Sequence, residues 1–143
     1  MQKVVFGGEK HERLEIAVIG YAYKKSGNYY DDNWLTVEIS LHVGSFKGAF
    51  QAAFLTTELE KFRDELTALH ATNKGQAEFH TLEGQLSLTL IGDGLGHIEI
   101  KGEALDQAGI GNRLSFVILI DQTQLESSAR SLGAAISVYP VRT

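Results

Sequence analysis

The chain has 143 residues, 43% hydrophobic and 22% charged, with 13 Lys and Arg against 18 Asp and Glu for a formal net charge of −5. That is the size and composition of one ordinary folded domain over residues 1–143, long enough to bury a core without staples. The absence of cysteine excludes a disulfide framework, a thiolate nucleophile, a Cys-ligated zinc and an iron–sulfur cluster, and it suits a reducing cytoplasm. An acidic balance argues against a nucleic-acid binder, whose affinity needs a concentrated cationic footprint, and favours a basic protein partner. Glu9, Lys10, His11, Glu12 and Arg13 break the basic-then-apolar order of a signal peptide. No stretch approaches the roughly 20 apolar residues of a membrane span, so no membrane contact is expected.

Period-two alternation dominates the first third. Leu14, Ile16 and Val18 share one strand face, and Leu35, Val37, Ile39, Leu41 and Val43 repeat the pattern against Thr36, Glu38, Ser40 and His42. The turn Gly44-Ser45 leads into Phe46, Gly48, Phe50, Ala52 and Phe54, which predicts a hairpin. Gly48 there marks either a bulge or a place where an aromatic ring covers the backbone.

The period changes after Leu55. Thr57 and Glu60 spell a T-x-x-E capping box, and Leu59, Phe62, Leu66 and Leu69 form one helical stripe that ends near Ala71, before Asn73 and Gly75. Short strands follow at Ala77 and Phe79, at Leu86, Leu88 and Leu90, and at Ile98 and Ile100. Leu114 to Ile120 is apolar at every position but Ser115 and reads as a central strand buried on both faces. Asp121 and Gln124 cap a last helix with the stripe Leu125, Ala129, Leu132 and Ile136, and Pro140 closes a short strand or extended tail over 137–142. The order β-β-β-α-β-β-β-β-α predicts an α+β fold, a mainly antiparallel and strongly curled sheet packed by two helices.

No catalytic, metal or cofactor-binding residue is assigned. Gly92, Gly94 and Gly96 precede a strand, whereas a phosphate cradle needs a helix N-terminus after it, so they read as a hairpin turn, and Gly109-Ile110-Gly111 reads as a loop. The histidines His11, His42, His70, His80 and His97 lack metal-ligand spacing. Glu38 with His42, and His97 with Glu99, each share a strand face. If those two strands were neighbours they could hold a metal or perform acid–base work, which keeps a small-ligand or enzymatic alternative open. No G-x-S-x-G elbow supports serine chemistry.

The most unusual stretch is 26–35, where Tyr29, Tyr30, Asp31 and Asp32 stand beside the lone tryptophan, Trp34. Tyrosine offers rigid contact area with a polar tip and aspartate selects Lys or Arg, so these four residues are the candidate partner-binding set. Trp34 and Asn33 read as the anchor and turn cap of the next strand. Self-association through an edge strand is a third possibility, and the oligomeric state stays open.

Asp31-Asp32-Asn33-Trp34-Leu35, the helix start Leu55-Thr56-Thr57-Glu58-Leu59 with Phe62 and Leu66, and the closing Val138-Tyr139-Pro140-Val141-Arg142 together resemble the WapI-like immunity proteins of bacteria. The resemblance runs from about Leu14 to Arg142. It implies a small α+β protein with no cofactor that binds and neutralises a toxin, by analogy the nuclease tip of a contact-dependent toxin. It offers no catalytic residue to carry over.

Overall fold

A computed structural model describes residues 1–8 and 12–143, so Glu9, Lys10 and His11 lie outside the described residues. Two four-stranded antiparallel meanders make up the fold. Sheet A has the order β1-β2-β3-β4, with β1 at Gln2–Gly7, β2 at Arg13–Tyr21, β3 at Trp34–Val43 and β4 at Phe46–Leu55. Sheet B has the order β5-β6-β7-β8, with β5 at Lys74–His80, β6 at Leu86–Asp93, β7 at His97–Gln107 and β8 at Ile110–Asp121. The helices are α1 at Tyr29–Asp32, α2 at Thr56–Thr72 and α3 at Gln122–Val138.

The expected single curled sheet with two helices is therefore corrected. Among the described residues there are two sheets, neither strongly curled, and three helices, because the chain leaves sheet A after β4 and starts sheet B only after the 17 residues of α2. The element at the N-terminus, β1, went unread, since it contributes only Val4 and Phe6 to the core.

The β3–β4 hairpin follows the alternation: Leu35 faces Phe54, Val37 faces Ala52, Ile39 faces Phe50 and Leu41 faces Gly48. The register runs through Gly48 without a shift, so it is not a bulge, and Gly44 turns the chain at φ 61°. Thr56, not Thr57, opens α2, and Glu58 rather than Glu60 supplies the carboxylate, accepting from the Leu55 N–H at 2.7 Å. Asn73 closes that helix in the left-handed conformation at φ 54°. Asp121 and Gln124 form the expected reciprocal cap of α3. That helix runs on to Val138, leaving only an extended tail beyond it.

The strand containing 114–120 is also corrected. It is the edge strand β8, with Phe116, Ile118 and Ile120 turned inward and Val117 and Leu119 exposed at 48% and 70%. A run of apolar residues suggests burial on both faces, and here one face is in solvent.

Both sheets, α2 and α3 contribute to one buried cluster. Four phenylalanines tie it across the layers. Phe6 of β1 stacks on Phe62 of α2 at 5.8 Å between ring centres, Phe62 stacks on Phe79 of β5 at 4.6 Å, and Phe54 of β4 meets Phe79 edge-on at 5.2 Å. Each such pair contributes about 0.5–1.5 kcal/mol beyond area burial. Gln85, 5% exposed, bridges the sheets by donating to the carbonyls of Gln51 and Leu105 at 3.3 and 3.2 Å.

Candidate partner-binding site

Between β2 and β3 the chain makes a loop that ends in the single turn α1. Asn28 caps the turn, its side chain accepting from the Asp31 N–H at 3.1 Å. The residue that shapes the loop is Asp32, 3% exposed. Its carboxylate accepts from the Ser26 N–H at 2.7 Å, the Ser26 hydroxyl at 2.9 Å and the Gly27 N–H at 2.9 Å. Burial pushes the Asp32 carboxyl up, but the Ser26 and Gly27 N–H groups, the Ser26 hydroxyl and the charge of Arg142 outweigh it and hold it below the ordinary aspartate value.

Asn33, 1% exposed, does the same for the tail. Its amide donates to the carbonyls of Tyr29 at 2.7 Å and Arg142 at 2.9 Å, and its side-chain oxygen accepts from the Thr56 hydroxyl at 2.7 Å and the Arg142 N–H at 2.8 Å. The Asn33 carbonyl also accepts from the Thr56 N–H at 2.9 Å. Every hydrogen-bonding site of this side chain is thereby used.

Aromatic contacts fix the tail from the other side. The Arg142 guanidinium lies 3.4 Å from the centre of the Tyr21 ring and donates to the Tyr23 carbonyl at 3.2 Å. Tyr21 and Tyr139 pack edge to face at 5.6 Å, and the Tyr139 hydroxyl donates to the Ile19 carbonyl at 3.2 Å.

The four candidate contact residues thus fall into two environments. Tyr29 and Tyr30, 48% and 64% exposed and edge to face at 6.0 Å, stand in solvent with Asp31. Asp32 is turned inward against Ser26 and Gly27. Tyr23, Lys24 and Lys25 are exposed on the same loop and were not singled out from the sequence, nor were Tyr21, Thr56 and Arg142 as supports. Trp34 is partly buried at the start of β3, opposite Leu55.

The two His/Glu pairs do not meet. Glu38 and His42 lie on β3 of sheet A, and His97 and Glu99 on β7 of sheet B, so the neighbouring strands that a combined site requires are absent. His97 instead hydrogen-bonds Asp93 through Nδ1 at 2.8 Å. Among the described residues no group of three or more His, Asp or Glu could hold a metal ion, and no helix is long and apolar enough to cross a membrane. Gly94 and Gly96 form the β6–β7 turn at φ 82° and 97°, while Gly92 is still paired within β6, opposite Ile98.

The model of the Immunity protein WapI-like family matches residues 5–140, nearly the whole chain. No curated protein matches it.

Proposed function

The chain belongs to the WapI-like immunity protein family, and from that membership we propose that it neutralises a cognate protein toxin by binding it directly, with no chemistry of its own. The contact surface is the loop bearing Tyr29, Tyr30 and Asp31. The observation that supports this reading is the contrast within the loop, where two tyrosines and a carboxylate stand in solvent on a turn whose neighbours Asp32 and Asn33 are nearly inaccessible and fully bonded. A loop already held in its bound shape loses little conformational freedom on association, which strengthens binding. Tyrosine contributes contact area at low entropic cost.

Asp32 enters as the residue that holds the loop, and Asp31 as the one that meets a Lys or Arg of the toxin. A nuclease toxin, cationic because it must bind phosphates, complements the net charge of −5. Lys24 and Lys25 on the same loop make the complement mixed, so orientation comes from paired opposite charges as well as from overall attraction. The protein acts in the cytoplasm, where a toxin entering the cell meets it.

Coexpression with the cognate toxin domain tests the reading. Survival of cells carrying both, and loss of that survival with the Tyr29→Ala/Tyr30→Ala variant, is the expected result. Equal killing with and without the protein would refute it.

A further inference from the structure

The outer face of sheet B departs from the polar pattern that a solvated face normally shows. Along β8 the outward residues are Arg113, Ser115, Val117, Leu119 and Asp121, so the strand turns apolar at two successive outward positions. Pairing places Ile91 of β6 opposite Glu99 of β7, and Glu99 opposite Leu119, giving a row that reads apolar, acidic, apolar across three strands. Val117 sits in the adjoining row, opposite Lys101. Ile91, Val117 and Leu119 are 38%, 48% and 70% exposed. A concavity of about 420 Å³ opens here, with Ile91, Asp93, His97, Glu99 and Leu119 in its wall. Single exposed apolar side chains are ordinary, but several grouped on one face around a hollow mark a contact site.

The turn at the end of this face is rigidly built. Asp93 Oδ1 accepts from the N–H groups of Leu95 at 2.7 Å and His97 at 3.2 Å. Gly94 donates to the Asn73 carbonyl at 2.8 Å, and the Gly96 carbonyl accepts from the Gln122 N–H at 3.0 Å, which anchors the turn to the end of α2 and the start of α3. Leu95 is left at its tip, 82% exposed. Around the patch the three carboxylates of Asp93, Glu99 and Asp121 stand with two ammoniums, Lys101, which lies 3.6 Å from Glu99, and Lys74, paired opposite Asp93, so the rim is acidic by one charge.

We infer that this face is a second docking surface for the cognate toxin, taking a segment that presents an apolar side chain flanked by Lys or Arg. The occupant follows from charge: a cationic partner complements the acidic rim, whereas a second copy would set one acidic rim against another. The inference rests on the immunity reading.

Leu119→Lys and Ile91→Lys test it, because both side chains are exposed: Leu119 is on the edge strand β8, where a lysine is well tolerated, and Ile91 is on the outward face of the inner strand β6. Affinity for the purified toxin domain whose killing the chain suppresses in coexpression is measured by titration, with Gln51→Lys on sheet A as control and thermal melts to confirm folding. Each sheet B variant is expected to bind at least about tenfold more weakly, and the control to match the unaltered chain. If the unaltered chain binds and both variants bind equally well, the second surface is refuted while the immunity reading stands. If the unaltered chain does not bind, the immunity reading falls and takes this inference with it. A dimer of the unaltered chain in sedimentation, dissolved by Leu119→Lys, would assign the face to a second copy and overturn the inference.

Discussion

Asn33 grips Arg142 as one peptide unit grips another in a sheet. Its side-chain oxygen accepts from the Arg142 N–H at 2.8 Å while its amide donates to the Arg142 carbonyl at 2.9 Å, across 109 residues of sequence. The same side chain bonds Tyr29 and Thr56. The three sequence blocks that carry the family resemblance therefore meet at one buried amide. The D-x-N-W-L block supplies Asn33, the helix start supplies Thr56, and the closing block supplies Arg142. Their shared role is to fasten the loop, the start of α2 and the tail together beneath the exposed Tyr29 and Tyr30.

Asn33→Ala removes four hydrogen bonds at a residue 1% exposed and takes their donor from the part-buried carbonyls of Tyr29 and Arg142. The expected cost is about 2–4 kcal/mol, read from urea unfolding. Asn33→Asp keeps the shape but sets a carboxylate oxygen against the Tyr29 and Arg142 carbonyls. It should destabilise at least as much, and a wild-type midpoint in that variant would contradict the role given to the amide.

Arg142→Ala should be milder. The two bonds from Asn33 go to its backbone and survive, so the loss is that of the stacking on Tyr21, the bond to the Tyr23 carbonyl and the positive charge near Asp32, about 1 kcal/mol in all. Arg142→Lys keeps the charge without the planar fork and should recover only part of that, measurable as an intermediate urea midpoint.

Acid acts on the loop through Asp32. Its folded pKa lies below the ordinary value of 3.8, so its contribution is fully present above that value and is lost as pH falls through the lower folded one. Asp93, held down by the Leu95 N–H and by His97, behaves in the same direction. Glu58 runs the other way. Burial raises it above 4.5 despite the Leu55 and Leu82 N–H groups, so its contribution declines as pH rises from 4.5 through the folded value. Amide exchange at Ser26 and Gly27 should accelerate on acidification below the ordinary aspartate range, and Asp32→Asn should remove that dependence.

Gly102 lies opposite Phe116, and a Cβ there would run into the Phe116 ring. Gly102→Ala must push the ring out of its place in the core, at an expected cost of about 1–3 kcal/mol by thermal or urea unfolding. Gly48→Ala, where a Cβ meets nothing within 4 Å, serves as the comparison and should be nearly neutral.

Much of sheet A was legible because one face of β3 and of the second half of β4 is dry and the other wetter, so the period of two is written from Leu35 to Val43 and again from Phe50 to Phe54, whereas Phe46 at the start of β4 is exposed despite its place in the pattern. The same logic misplaced β8. Val117 and Leu119 are apolar yet outward, and a sequence cannot distinguish a residue buried by its own fold from one held in solvent for a partner. The cap of α2 lies two residues before the expected one because Leu55, with no side-chain acceptor, takes the cap position, while the Thr56 hydroxyl is spent on Asn33. Of the loop, the tyrosines could be read as contacts. The inward turn of Asp32 and the reach of Asn33 to Arg142 could not, since both depend on where the fold brings distant backbone.

The most direct measurement is a calorimetric titration of the purified chain with its cognate toxin domain. A saturable one-to-one complex, weakened at least about tenfold by Tyr29→Ala/Tyr30→Ala in a chain of unchanged stability, is the predicted result. Absence of any complex would contradict the account.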